Sequence, residues 1–293
     1  MDITQFAAYY SKLSTIIVFN RQGEVVRVSK TLIFQDPNLV RYLELLQVLV
    51  TRNLKVRYRG SFLGIYWSLL NPLLMTAAYT TIFGMAFLRY YENSIATYML
   101  EVFAGLVVIN FFSASTSQAL TSVVCNGGLL NKIRLPLNIF PLSMIAANVF
   151  QFVCGSLPFL VIATLVTSQS LINVIALLLP LLSLVCFCAG VGFIVSALFV
   201  FFRDLPYFYE LLVSLIWFSS PVFYPIEIVP ANIRPILALN PLTWIIGSIR
   251  QIALSGDLPD FSLIGTSLLT SCVVLVVGSK LFYNWRTQFM DLL

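Results

Sequence analysis

Few residues in this sequence are charged, and cations outnumber acids, 17 Lys and Arg against 12 Asp and Glu. Histidine is absent, so no Ser/His/Asp set and no histidine-ligated metal can be built. Five cysteines, Cys125, Cys154, Cys186, Cys188 and Cys272, sit in or at the ends of apolar runs and form no CxxC pair. They read as small lipid-facing or core residues. No GxxxxGK[ST] loop and no GxGxxG occurs, so no nucleotide site is legible on this chain. What remains is basic. Arg57 and Arg59 stand just before the first long apolar run, and arginine forks suit phosphate oxygens. Bulk anionic lipid would satisfy them equally well. Arg52 and Lys55 precede them, and Lys132 and Arg134 follow Asn131 in the loop CNGGLLNKIRLPL. Arg250 and Glu101 are charges near the ends of other apolar runs, where ionisable groups usually face protein or water. Their spacing leaves open whether they pair.

The elements that position these residues follow from composition. The 293-residue chain is 59% hydrophobic and 10% charged, with mean hydropathy +0.92. Soluble domains average about 45–50% apolar and about 25% charged, so the chain reads as a polytopic membrane protein. The first residues lack a basic region followed by an apolar one, so no cleaved signal peptide is expected. A spanning helix needs about 20 mainly apolar residues. Such runs occur at about 62–88, 98–124, 138–167, 171–201, 205–223 and 261–283. With the N-terminus inside, fourteen of the seventeen Lys and Arg residues fall on the cytoplasmic side. Both termini are then cytoplasmic, and Arg89, Arg234 and Arg250 are external. The expected fold is all-α, with a six-helix transmembrane domain over 61–293.

Two further segments stand out. Residues 36–60 predict an amphipathic helix, with Asp36 as cap and Pro37 at its first position. Leu39, Val40, Leu43, Leu46, Val50 and Leu54 share one face, and Arg41, Glu44, Arg52, Lys55 and Arg59 the other. Such a helix lies along a membrane surface, as an anchor or as a docking site for a partner. Residues 1–35 form an N-terminal cytoplasmic segment with a turn signal at 20–23, readable as strand or as arm. The second segment, PVFYPIEIVPANIRPILALNP at 221–241, combines five prolines with apolar residues. No uninterrupted helix can run through it. Asn71-Pro72 predicts a kink inside the first span.

Four stretches carry a family resemblance: RNLKVRYRGSFLGIYWSLLNPLL at 52–74, LLNKIRLPLNIFPLS at 129–143, FFRDLPYF at 201–208, and PVFYPIEIVPANIRPILALNPLTWIIGSIRQIALSGDLP at 221–259. The chain resembles the membrane-spanning subunit of an ABC type-2 exporter, in the branch that exports lipid-linked polysaccharide such as O-antigen or teichoic acid. The resemblance implies re-entrant helices before the last span, forming an external gate near 221–256. It implies a coupling helix near 126–137, begun at Gly127-Gly128 and ended at Pro136. It implies two copies of this chain with two copies of a separate cytoplasmic ATPase, which binds ATP and Mg and grips Arg52, Lys55, Asn131, Lys132 and Arg134.

On that reading the chain is a transport subunit without catalysis of its own, and its only cofactors are on the partner. Arg57 and Arg59 would meet a lipid diphosphate. Sugar rings present apolar faces that suit flat aromatic side chains. Tyr66, Trp67, Tyr79 and Phe83 on the first span, and Trp217, Phe218, Phe223 and Tyr224 near the end of the fifth, would then line the path or gate with Arg250. Interfacial aromatic belts would place many of the same residues. The alternatives are a type-2 permease for a drug or smaller lipid and, more remotely, a secondary transporter or membrane enzyme.

Overall fold

The computed structural model describes residues 15–19, 25–29, 37–91, 93–130, 135–254 and 259–292. The chain divides into two compact units, residues 1–48 and 49–293. In the first, β1 (Thr15–Phe19) pairs antiparallel with β2 (Val25–Ser29), Thr15 opposite Ser29. The strand reading of the N-terminal segment is the one realised, an addition to an otherwise helical chain. Helix α1 (Pro37–Arg57) begins at the expected proline and runs across the boundary between the units.

The second unit is helical throughout its described residues. After a short 3-10 turn come α2 (Trp67–Phe87), α3 (Ile95–Cys125), the four-residue α4 (Gly127–Leu130), α5 (Ile139–Cys154), α6 (Ser156–Ser168), α7 (Leu171–Ala176) and α8 (Leu178–Phe201). Then follow α9 (Leu205–Ser219), α10 (Arg234–Ala238), α11 (Pro241–Leu254) and α12 (Phe261–Leu292). Four stretches are long and apolar enough to cross a membrane: Gly64–Tyr90, Ile95–Cys125, Leu171–Phe201 and Phe261–Phe289. The pair α5 and α6, bent by 45° at Gly155, makes up to five. The expected fifth span, 205–223, is shorter than the sequence run suggested. Helix α9 holds 15 residues, about 22 Å at ~1.5 Å per residue against a hydrocarbon core of about 30 Å. Ser220 turns extended and Pro221 cannot continue the helix, so the run to 223 is apolar without being helical.

Helix α3 is the centre of the bundle, with Tyr98, Val102, Phe103, Ile109, Phe112 and Leu120 almost fully buried. Helices α8 and α12 meet backbone to backbone at Gly190 and Gly278. A Cβ at Gly190 would lie 2.6 Å from the backbone of Val274 and Leu275, and one at Gly278 would run into the backbone of Gly190. Small residues let helices approach this closely in membranes, where lipid supplies no hydrophobic push. Buried hydroxyls add to the contact. Ser183 Oγ donates to the Ser267 carbonyl at 2.7 Å and lies 2.8 Å from Ser271 Oγ.

Pro72 bends the logic of α2 in a traceable way. It has no N–H, so the carbonyl of Ser68 one turn earlier loses its helical donor. Ser156 Oγ, at the start of α6, donates to that carbonyl at 3.0 Å. Gly155 permits the approach, because a Cβ there would collide with Ser68 Oγ. The predicted kink is therefore a docking point between α2 and the α5–α6 bend. We expect Ser156→Ala to cost about 1–3 kcal/mol, the penalty of a buried orphan carbonyl. In a Pro72→Ala background the restored N–H should erase most of that loss. Thermal unfolding of both variants in detergent checks this; equal losses in the two backgrounds would refute it.

Candidate functional site: a polar cavity and an aromatic cluster at opposite ends of one helix

Arg57 was placed by sequence at a membrane rim, paired with Arg59. The structure separates the two. Leu39 and Arg57 are 18 residues apart, five whole turns, so Arg57 points with the apolar stripe while Arg59 stays exposed. Asn53 and Leu49 share that inward side and are buried, whereas Leu39 and Leu43, earlier on the helix, are exposed. Arg57 Nη1 donates to Asn148 Oδ1 at 3.0 Å and to Gln151 Oε1, and Nη2 donates to Gln118 Oε1. Asn148 Nδ2 closes the set by donating to Gln118 Oε1 at 3.0 Å. Burial holds the Arg57 guanidinium below its ordinary pKa, with Tyr58 beside it acting in the opposite sense. Burial raises the Tyr58 phenol. Among the described residues no carboxylate meets Arg57; neutral amide oxygens carry its charge.

These groups face a cavity of about 470 Å³, also lined by Trp67, Asn71, Asn110 and Ser113. Its α3 wall recurs at helical spacing, Val107, Phe111, Ala114 and Gln118, and its α5 wall is Asn148, Gln151 and Phe152. A polar chamber with one uncompensated cation among apolar helices can take an anionic, hydroxyl-rich group. Sequence reasoning had Arg57 and Trp67 and missed the amides. Their signal was available: Asn148 and Gln151 stand three apart inside an apolar run, on one helix face.

The remaining expected docking residues fare differently. Arg52 Nη2 donates to Asn126 Oδ1 at 2.9 Å, and Asn53 Nδ2 to Ser143 Oγ at 3.2 Å, tying α1 to the ends of α3 and α5. Lys55 is exposed. Asn131, Lys132 and Arg134 lie outside the described residues, as does the middle of the expected coupling helix. The short helix α4 begins at Gly127.

The second site lies at the start of α3. Glu101 and Gln118 are 17 residues apart, about 25 Å along the helix. Tyr79, Phe83, Trp217, Phe223 and Tyr224 come together here. The Phe223 ring centre is 5.2 Å from Tyr79, 5.7 Å from Phe83, 5.6 Å from Trp217 and 5.3 Å from Tyr224. Tyr66 and Trp67 are not part of this cluster. Trp67 lines the cavity at the other end, and Tyr66 is exposed. Arg250 and Glu101, whose contact was open, form an ion pair with Nε 3.7 Å from Oε2.

The proline-rich segment resolves into a 3-10 turn at Ile226–Ile228, α10 and α11. Asn240 starts α11, its Oδ1 accepting from the Leu242 N–H at 3.1 Å. Leu242, Ile245, Ile246, Ile249 and Ile252 of α11 are fully buried against the bundle.

Several helices long and apolar enough to cross a membrane, packed around a polar chamber, define a multi-pass membrane protein. The ABC-2 type transporter profile matches residues 44–254, and the chain belongs to that family. It is 31% identical over 258 residues to an O-antigen export system permease protein RfbA of Klebsiella pneumoniae, covering 87% of this chain and 97% of that protein. The RfbA protein of Myxococcus xanthus is 31% identical over 256 residues, 86% of this chain and 96% of its own length. The polysialic acid transport protein KpsM of Escherichia coli is 21% identical over 246 residues, 83% and 94% respectively. The chain is thus similar to transport permeases along nearly their whole length.

Proposed function

We propose that this chain is the channel-forming subunit of an ATP-driven exporter that moves a lipid-linked polysaccharide, O-antigen or a similar glycan, across the bacterial inner membrane. The observation that carries the reading is the Arg57 chamber: a cation held by neutral amides, with Trp67 at its wall. An anionic phosphate followed by sugars suits that chemistry, and an apolar drug does not. Full-length likeness to O-antigen permeases supports the same cargo class.

On this reading two copies of the chain pair with two copies of a cytoplasmic ATPase, which holds ATP and Mg. Both termini face the cytoplasm, with Arg57 at the inner end and the Phe223 cluster at the outer end. The ATPase engages Arg52, Lys55 and the segment 126–137, including Asn131, Lys132 and Arg134. Because Arg52 and Asn53 bind Asn126 and Ser143, a push on α1 is shared with α3 and α5. The ATPase binds ATP differently in the two channel states, so nucleotide shifts their balance. The Lys132 and Arg134 charges also serve orientation.

Two measurements test this. Purification from the native membrane in mild detergent should yield a phosphate-loop ATPase at one copy per permease. Deletion of this chain should remove surface glycan while leaving drug tolerance unchanged. A homo-oligomer without ATPase, or changed drug tolerance with normal glycan, would overturn the proposal.

A further inference from the structure

The turn Pro221–Tyr224 has little backbone support of its own. Pro221 and Pro225 flank it and lack N–H groups. Its carbonyls are held instead by side chains from two other helices. Arg250 Nη2, from α11, donates to the Val222 carbonyl at 2.7 Å. The same guanidinium donates to the Glu101 carbonyl of α3 at 3.0 and 3.2 Å, beside its ion pair with the Glu101 carboxylate. Tyr98 Oη, also from α3, donates to the Phe223 carbonyl at 2.9 Å. Room for the guanidinium comes from Gly105: a Cβ there would lie 3.2 Å from both Arg250 Nη2 and the Val222 backbone. The Phe223 ring then wedges between Tyr79 and Phe83 of α2 and Trp217 of α9.

We propose that Arg250 and Tyr98 are positioning residues: by holding the Val222 and Phe223 carbonyls they fasten this turn, with the Phe223 ring as its stopper, in the closed state. The inference rests on the export reading for the path and its external gate, and on this geometry for what fastens that gate. Main-chain carbonyls suit a fastener that must release. They are neutral, so a guanidinium leaving Val222 strands no charge there, while its ion pair with Glu101 can be kept. A planar fork spans two elements at once, which a lysine cannot do. Behind the fork lies a cavity of about 200 Å³, lined by Tyr90, Tyr91, Glu227 and Thr243, into which the side chain can move.

The experiment is leak. The permease, purified with its co-purifying ATPase, is reconstituted into phosphatidylethanolamine–phosphatidylglycerol vesicles loaded with carboxyfluorescein, without nucleotide or glycan. Native vesicles should stay tight. Arg250→Ala should release dye on the order of tenfold faster, the effect of losing charged hydrogen bonds from the closed state. Arg250→Lys should be intermediate, and Tyr98→Phe should leak while its elution and melting match native protein. A simple packing defect would move melting with leak; a fastener moves leak alone in Tyr98→Phe. Native tightness in both Arg250→Ala and Tyr98→Phe overturns the proposal, and Tyr98→Phe decides if Arg250→Ala does not fold. Leaking variants with normal surface glycan lost to no deletion would sink only the cargo reading; tight variants with glycan dependence intact would sink only the stopper.

Discussion

Gly278→Leu should prevent stable folding of the protein. The Cβ alone would enter the Gly190 backbone, and backbone, unlike a long side chain, cannot step aside. Even Gly278→Ala must part α8 and α12, with an expected loss of about 1–3 kcal/mol from overpacking. Leucine adds a branched side chain to the same gap, and the native margin is only about 5–15 kcal/mol. Separation would also break the Ser183–Ser267 and Ser183–Ser271 contacts, so the losses compound. Gly265, on the same helix, has open space at its Cβ position and supplies the control. Melting in detergent should fall steeply across Gly278→Ala and Gly278→Leu and hold for Gly265→Ala. A Gly278→Leu protein that melts like the native one would show that the two helices are held apart from this contact.

Arg57→Gln should reduce export by about 10–100-fold, the scale of one charge-assisted anion contact at ~1.5–3 kcal/mol. The chamber itself should survive, because Asn148 still donates to Gln118 and to the Met144 carbonyl. Arg59→Gln should leave export near normal, since Arg59 is exposed and bulk lipid can serve its charge. Arg57→Lys keeps the charge but cannot reach three amide oxygens at once, so partial export is expected. Surface glycan per unit of membrane-inserted protein is the readout. Equal loss from Arg57→Gln and Arg59→Gln would mean that the two act as general positive charge. Full export from Arg57→Gln would remove the anion-chamber reading.

The two ends of α3 differ in what they demand of a substrate. The Arg57 end is polar and open enough for a head group, whereas at the Phe223 end half-buried aromatic rings stack on one another. Aromatic faces turned toward each other are not available to sugars. Glycan contact there requires the cluster to open, which is the motion that release of Val222 and Phe223 would allow.

Composition alone settled that the chain lives in a membrane, because no aqueous core can absorb so many apolar residues. Local rules placed the start of α1 at Pro37, the break at 221–241 and four clear spans, since each depends on residues adjacent in the chain. They ran the fifth span on to 223, where apolarity outlasts helix. They also paired Arg57 with Arg59, although a five-turn count from Leu39 turns Arg57 inward. Only the tertiary structure decided the rest. The Gly190–Gly278 approach, the Ser156–Ser68 repair of the proline gap, the amides around Arg57 and the Arg250 fork each join residues far apart in sequence. A buried polar group must find a partner, but which partner depends on helix packing in three dimensions and not on neighbours along the chain.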